Sequence, residues 1–254
     1  MCSLGNPAIP LQKQEKQRIL KRLPPARKLR SLVHRLRRVR GHSTLWLGRF
    51  ASTTPLSRDF GLDRGTAIDR YYIESFLAAH AQDIHGTVLE VVDPTYSQRF
   101  GGGQVTTQHV VDLTDANPNA TIIGDLAEPG VLPDATFDTI ILTQTMHLIF
   151  DMGAALRQLR RALRPAGVAL ITVPGITSVQ PSNDYRWYWS LTDDSLGRLL
   201  RDAFDPRQVT VRSFGNLFAA TAFLHGAALE EVPIRKLGNH DPAYPVIVAG
   251  RAVA

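Results

Sequence analysis

Between Phe137 and Gly175 the hydrophobic and polar positions spell three elements in succession. Phe137 to Thr143 is an apolar run with Asp138 near its start, the pattern of a strand buried on both faces of a parallel sheet. From Met152 the period changes. Met152, Ala155, Leu156, Leu159, Ala162 and Leu163 fall on one helical face, with Arg157, Gln158, Arg160, Arg161 and Arg164 opposite. Pro165 and Gly167 stop this helix, and Val168 to Val173 is a second short β-branched run. The unit reads as strand, crossover helix, parallel strand.

The same reading along the chain predicts strands near 87–92, 105–112, 120–124, 137–143, 168–173, 209–214 and 244–252. Helices are expected near 69–81, 152–164, 192–203 and 216–229, with Tyr72, Ile73, Phe76 and Leu77 of the first facing inward. Two connections are short. Asp93 to Gly103 leaves room for one or two helical turns, and Leu113 to Asn119 holds Asp115, Asn117 and Pro118 with no room for a full helix. Residues 1–57 read differently, as two basic helices at 12–23 and 26–39 broken by Pro24-Pro25 and followed by a linker. Trp46, Leu47 and Phe50 are its candidate anchors. Residues 58–254 form the second region.

The Phe-Asp strand, the helix ending in Leu-Arg-Pro-Ala-Gly and the strand ending in Val-Pro-Gly resemble the fourth and fifth strands of a class I S-adenosylmethionine-dependent methyltransferase. Val88-Leu89-Glu90-Val91 resembles the first strand of that family, and Ile122-Ile123-Gly124-Asp125-Leu126 the third with its following aspartate. The resemblance spans roughly Asp69 to Arg251. It implies a doubly wound, mostly parallel seven-stranded α/β Rossmann-like sheet, its last strand antiparallel, with a basic helical N-terminal arm. More narrowly, RGTAIDRYYIE, VLEVVDPTYSQRFGG and FLHG resemble a bacterial subgroup found with glycosyltransferase and secondary-metabolite genes.

Charge sharpens this picture. The net charge of +6 conceals an asymmetry: residues 1–50 hold 13 Lys or Arg against Glu15 alone, a net +12, so the remainder carries −6. A nucleic-acid enzyme would more often line its cleft with positive charge, so a small-molecule acceptor is favoured and the arm is read as packing on its own domain or on a second subunit. The single cysteine, Cys2, excludes an intramolecular disulfide and fits the cytoplasm. No apolar run approaches the ~20 residues that span a bilayer. The eight histidines show no metal-ligand spacing, so no metal is expected, and no G-x-G-x-x-G follows the first strand, which disfavours a nucleotide-dependent oxidoreductase.

By resemblance, S-adenosylmethionine would lie at the carboxyl ends of the strands. The chain departs from the family at the first turn: Glu90-Val91-Val92-Asp93-Pro94 stands where Glu-x-Gly-x-Gly is usual, and glycines appear only at Gly101 to Gly103. Left-handed geometry at Val92 would cost about 1–2 kcal/mol, so a changed turn is expected, with Asp93, Tyr96 and Arg99 near the methionine end. Arg64 or Tyr72, from the segment Arg64 to Tyr72, would meet the amino-acid end; the alternative for that segment is a helix start capped by Thr66 and Asp69. Asp112 or Asp115 would take the ribose hydroxyls, and Asp125 with the Leu126 N–H the adenine edge. Thr143 and Gln144 would border cofactor and acceptor. Tyr185, Arg186, Trp187 and Tyr188 after the fifth strand can stack on and orient an acceptor, Asp184 can position a hydroxyl or acid group, and His147 is the candidate base. Two other readings are a non-catalytic scaffold on this fold and a nucleic-acid methyltransferase guided by the arm.

Overall fold

The computed structural model describes residues 52–179 and 186–254. The arm helices, Trp46, Leu47, Phe50, Asp184 and Tyr185 lie outside them. Seven strands form one sheet: β1 (Gly86–Val91), β2 (Val105–Asp112), β3 (Ile122–Ile123), β4 (Phe137–Thr143), β5 (Leu163–Pro174), β6 (Val209–Phe214) and β7 (Ile247–Val253). Their order is β3-β2-β1-β4-β5-β7-β6, parallel except for β7, which runs antiparallel to both β5 and β6. This is the doubly wound Rossmann-like architecture, and its strand order reverses between β1 and β4.

The helices are α1 (Ile68–Ala79), α2 (Thr95–Phe100), α3 (Met152–Ala162), α4 (Asp193–Ala203) and α5 (Leu217–Leu224). Successive strand residues serve opposite faces, which is why the central strands are apolar throughout. Leu89, Ile140, Ala169 and Ile171 pack with Leu156 and Leu159 of α3 and Leu196 and Leu200 of α4. Their neighbours Val88, Ile141 and Leu170 pack with Ile73 and Phe76 of α1 and Phe223 of α5.

Several boundaries differ from expectation for local reasons. Helix α3 ends at Ala162 rather than Arg164, because Pro165 disfavours helical geometry at the residue before it. Helix α5 stops at Leu224 instead of continuing to 229. Gly226 sits at φ 67° and Ala227 N–H donates to Ala222 O (3.0 Å), a glycine-terminated helix end, and a Cβ at Gly226 would lie 2.4 Å from Ser57 O. Ser57 is itself buried, with its hydroxyl bonded to Asp63 and accepting from the N–H groups of Asp59 and Gly61. The β1–β2 connection holds α2 and one 3-10 turn (Gly102–Gln104), and no helix lies between β2 and β3. No helix among the described residues is long and apolar enough to cross a membrane.

Candidate active site

A cleft of about 1170 Å³ opens at the carboxyl ends of β1, β2 and β4, where the strand order reverses. Its first wall is the turn after β1. Glu90 is buried and accepts from the N–H groups of Tyr96 (3.1 Å) and Ser97 (2.7 Å), so its carboxylate caps the start of α2. Burial raises the Glu90 pKa above the usual carboxylate range despite those bonds. Val92 does adopt left-handed geometry, at φ 71°, contrary to the expectation that the turn would avoid it. The surrounding bonds account for this: Val92 N–H donates to Val111 O (3.2 Å), Asp93 N–H to Val91 O (2.9 Å), and Asn117 Nδ2 to Val92 O (2.7 Å). Gly101 to Gly103 lie outside the cleft lining and join α2 to β2.

The second wall carries the acids. Asp112, at the end of β2, accepts from Asn117 Nδ2 at 2.8 Å, so one amide ties this carboxylate to the first turn. Asp115 is not among the lining residues. Beyond β3, Asp125 accepts from Ala127 N–H (2.8 Å) through one oxygen. Among the described residues the Leu126 N–H has no partner, so a carboxylate and an open donor stand side by side in the cleft.

The third wall comes from β4 and α1. Gln144 has φ 50°, donates its N–H to Thr172 O (2.8 Å), and buries a side-chain nitrogen that has no partner among the described residues. Such a group is a donor awaiting an acceptor. Helix α1 contributes Arg70 and Glu74, one turn apart on the same face. Arg70 Nη1 donates to Tyr96 Oη (2.7 Å) and Glu74 pairs with Arg99 (2.5 Å), so two cross-links join α1 to α2 over the cleft. Asp69, beside Arg70, keeps a buried oxygen without a partner among the described residues, and burial raises its pKa. Among the described residues no cluster of His, Cys, Asp or Glu is arranged to hold a metal.

The far end of the cleft is aromatic. In the extended segment after β5, Arg186 and Tyr188 line the cleft while Trp187 turns inward, as alternation requires. Trp187 meets the His147 ring at a tilt (ring centroids 4.2 Å) and stacks on Phe60 (6.3 Å). His147 is 3% exposed and does not line the cleft; burial lowers its pKa to about 4, which keeps it neutral. Its carbonyl instead accepts from the N–H groups of Tyr188 (3.1 Å) and Trp189 (3.3 Å). Phe150, 68% exposed, meets the Tyr188 ring edge-on at 5.3 Å.

Of the anticipated site residues, the structure thus gathers Glu90, Val92, Asp93, Tyr96, Arg99, Asp112, Asp125, Leu126, Thr143, Gln144, Arg186 and Tyr188 around one cleft. Arg64 and Tyr72 stand elsewhere. Arg64 forms a two-bond pair with Glu231, and Tyr72 is in the core with its hydroxyl donating to Leu237 O (3.0 Å). Thr66 donates to Glu230 (2.7 Å) rather than capping α1, whose start has no side-chain cap. Arg70, within the segment expected near the cofactor, lines the cleft in place of Arg64 and Tyr72, and Glu74 and Phe150 line it without having been anticipated. The helical period held the signal for Arg70 and Glu74, since Tyr72 and Phe76 already claim the inward face.

A doubly wound sheet with acids at the ends of β2 and β3 and a cleft at its switch point is an architecture that binds small-molecule ligands at the carboxyl ends of its strands. Residues 22–216 match the model of the family described as "Methyltransferase domain", and the chain belongs to that family. It is a class I S-adenosylmethionine-dependent methyltransferase. Among solved structures it is similar to an S-adenosylmethionine-dependent methyltransferase from Archaeoglobus fulgidus, at 13% identity over 73% of this chain and 94% of that one, with a TM-score of 0.49. A second, from Mesorhizobium loti, shows 15% identity over 76% and 100%, with a TM-score of 0.48. A third is the Burkholderia thailandensis 1,6-didemethyltoxoflavin-N1-methyltransferase with bound 1,6-didemethyltoxoflavin and S-adenosylhomocysteine, at 18% identity over 76% and 80%, with a TM-score of 0.46. No curated protein matches the chain.

Proposed function

We propose that this enzyme transfers a methyl group to an oxygen or nitrogen of a small molecule, a carbohydrate or secondary metabolite with a flat or ring-shaped face. The observation that carries this reading is the size and two-part lining of the cleft. At about 1170 Å³ it exceeds the roughly 300–1,000 Å³ of a typical single-ligand pocket. One end holds paired carboxylates and an open N–H, and the other holds Arg186, Tyr188 and Phe150.

In this reading Asp112 receives the ribose hydroxyls, Asp125 and Leu126 the adenine edge, and Arg70 with the Gln144 amide the amino-acid end. When bound, the cofactor would supply an electrophilic sulfonium methyl for an acceptor lone pair, with a neutral thioether as the leaving group. The chain supplies orientation: Tyr188 and Phe150 hold the acceptor face and Arg186 an acidic or hydroxyl substituent. Asp184 is assigned to position the acceptor proton. His147 contributes through its backbone carbonyl, which holds the Tyr188 and Trp189 N–H groups, since an imidazole buried outside the cleft is poorly placed as a base. The −6 charge of residues 51–254 favours a small acceptor over nucleic acid, the apolar stripe in residues 26–39 supports a homodimer, and the lone Cys2 supports a cytoplasmic enzyme.

Isothermal titration with S-adenosylmethionine and S-adenosylhomocysteine tests the cofactor half. Asp125→Ala is expected to weaken both at least about tenfold, a loss of ~1.4 kcal/mol. An unchanged dissociation constant would remove Asp125 from the site and with it this arrangement.

A further inference from the structure

A second cavity, of about 420 Å³, lies between α1 and the edge strand β6 and shares no residue with the methyl-transfer cleft. Helix α1 separates the two. Arg70 and Glu74 face the cleft, while Tyr71, Ser75 and Phe76 line the second cavity. Its floor is a cluster of rings: Tyr72 lies 6.1 Å from Phe214, and Phe214 lies 6.4 Å from Phe76.

The rim is cationic and held in place. Arg212 is exposed, sits over the Phe214 ring at 5.0 Å, and makes no ion pair among the described residues. His80 and His240 stand at the margin, and no Asp or Glu lines the cavity. Asp83, beyond the end of α1, is engaged by Arg251 through two bonds of 2.7 Å. The outer loop is fixed by Tyr72 O–H donating to Leu237 O (3.0 Å) and by Asn216 Nδ2 donating to Lys236 O (2.8 Å) and Asn239 O (2.6 Å). The site is therefore formed before any ligand arrives, which lowers the cost of binding.

We infer that the cavity between α1 and β6 is a second ligand site, which takes a planar aromatic carboxylate. The partly exposed rings of Tyr71 and Phe214 supply apolar contact area above a floor closed by the buried Tyr72 and Phe76, and Arg212 supplies a planar fork that matches a carboxylate. Absence of acids in the lining rejects cations, and the volume suits a molecule of one or two fused rings.

Isothermal titration of the full chain with 1-naphthoate tests this, with and without saturating S-adenosylhomocysteine. The expected result is saturable binding with a dissociation constant below about 1 mM, unaffected by S-adenosylhomocysteine. Arg212→Ala, a surface change that spares the core, should weaken it at least about tenfold, and the neutral 1-naphthalenemethanol should bind at least as poorly. Ser75→Trp, which fills the cavity from the exposed side of α1, should abolish 1-naphthoate binding and leave S-adenosylhomocysteine binding as it was. No binding, competition with S-adenosylhomocysteine, or equal binding by either variant or by the neutral analogue would overturn the proposal. The naphthoate titrations do not require cofactor binding, so they remain readable even if the cofactor arrangement proposed above fails.

Discussion

Two turns flank the switch point of the sheet, and each holds a non-glycine residue in left-handed geometry: Val92 after β1 at φ 71°, and Gln144 after β4 at φ 50°. Either conformation costs on the order of 1–2 kcal/mol, yet the two are supported differently. At Val92 the backbone is surrounded by bonds: its own N–H and C=O, the Asp93 N–H, and the Glu90 carboxylate that caps the following helix are all engaged. At Gln144 the backbone N–H is engaged, and the buried side-chain amide nitrogen is not. The first turn is a self-sufficient support, enforced by the fold without ligand. The second carries an unmet hydrogen-bonding demand that a bound molecule can meet, which makes it the more direct marker of the site.

The most disruptive test of the contrast removes the support of the first turn. Glu90→Ala leaves the Tyr96 and Ser97 N–H groups without their carboxylate. Two bonds to a charged acceptor, at about 1.5–3 kcal/mol each, predict a loss of roughly 3–6 kcal/mol by denaturant unfolding. A loss below about 1 kcal/mol would mean that the turn does not depend on Glu90, and the contrast would fail.

A second test concerns acid. His147 follows the Gln144 turn, and burial depresses its pKa from an ordinary 6.5 to about 4. The folded state therefore prefers neutral imidazole, while the unfolded chain takes up a proton near pH 6.5. Stability from this group is complete above about pH 6.5 and is lost as pH falls toward 4, by about 3 kcal/mol in all. His147→Phe retains a ring against Trp187 and should flatten that part of the stability profile relative to the parent, followed by urea unfolding at pH 7, 5.5 and 4.5. Parallel profiles would show that the imidazole is not kept neutral by the fold.

The sheet was legible because its central strands are buried on both faces and read as apolar runs, and α3 because its arginines mark one face. The acids at 112 and 125 were legible because they end strands. What escaped the sequence depends on geometry that no local pattern carries. Arg70 rather than Arg64 reaches the cleft because Tyr72 and Phe76 fix the rotation of α1, whereas Arg64 is drawn away by Glu231, 167 residues later. Phe150 is exposed in a short connection, and it becomes part of the site only when the segment after β5 brings Tyr188 beside it. Val92 violates a local rule that long-range bonds to Val111 and Asn117 override. The end of α5 at Gly226 needed Ser57, a contact across most of the chain, to become evident.

The mildest test is also the most discriminating, because it makes the same substitution at both turns. Val92→Gly removes strain of about 1–2 kcal/mol and adds about 0.5–1 kcal/mol of backbone entropy cost, so a stabilisation of up to about 1.5 kcal/mol is expected. The Val92 side chain is 54% exposed, so little packing is lost. Gln144→Gly relieves similar strain and also removes a buried polar group without a partner, so it should stabilise the ligand-free enzyme at least as much. Only the second change should weaken S-adenosylhomocysteine binding, by about tenfold, since one hydrogen bond to a charged group is worth roughly that much. Equal affinity in the two variants would show that the Gln144 amide is not completed by the cofactor. Its unmet bond would then point toward the acceptor end of the cleft, beside Tyr188 and Arg186, where acceptor affinity rather than cofactor affinity should report its loss.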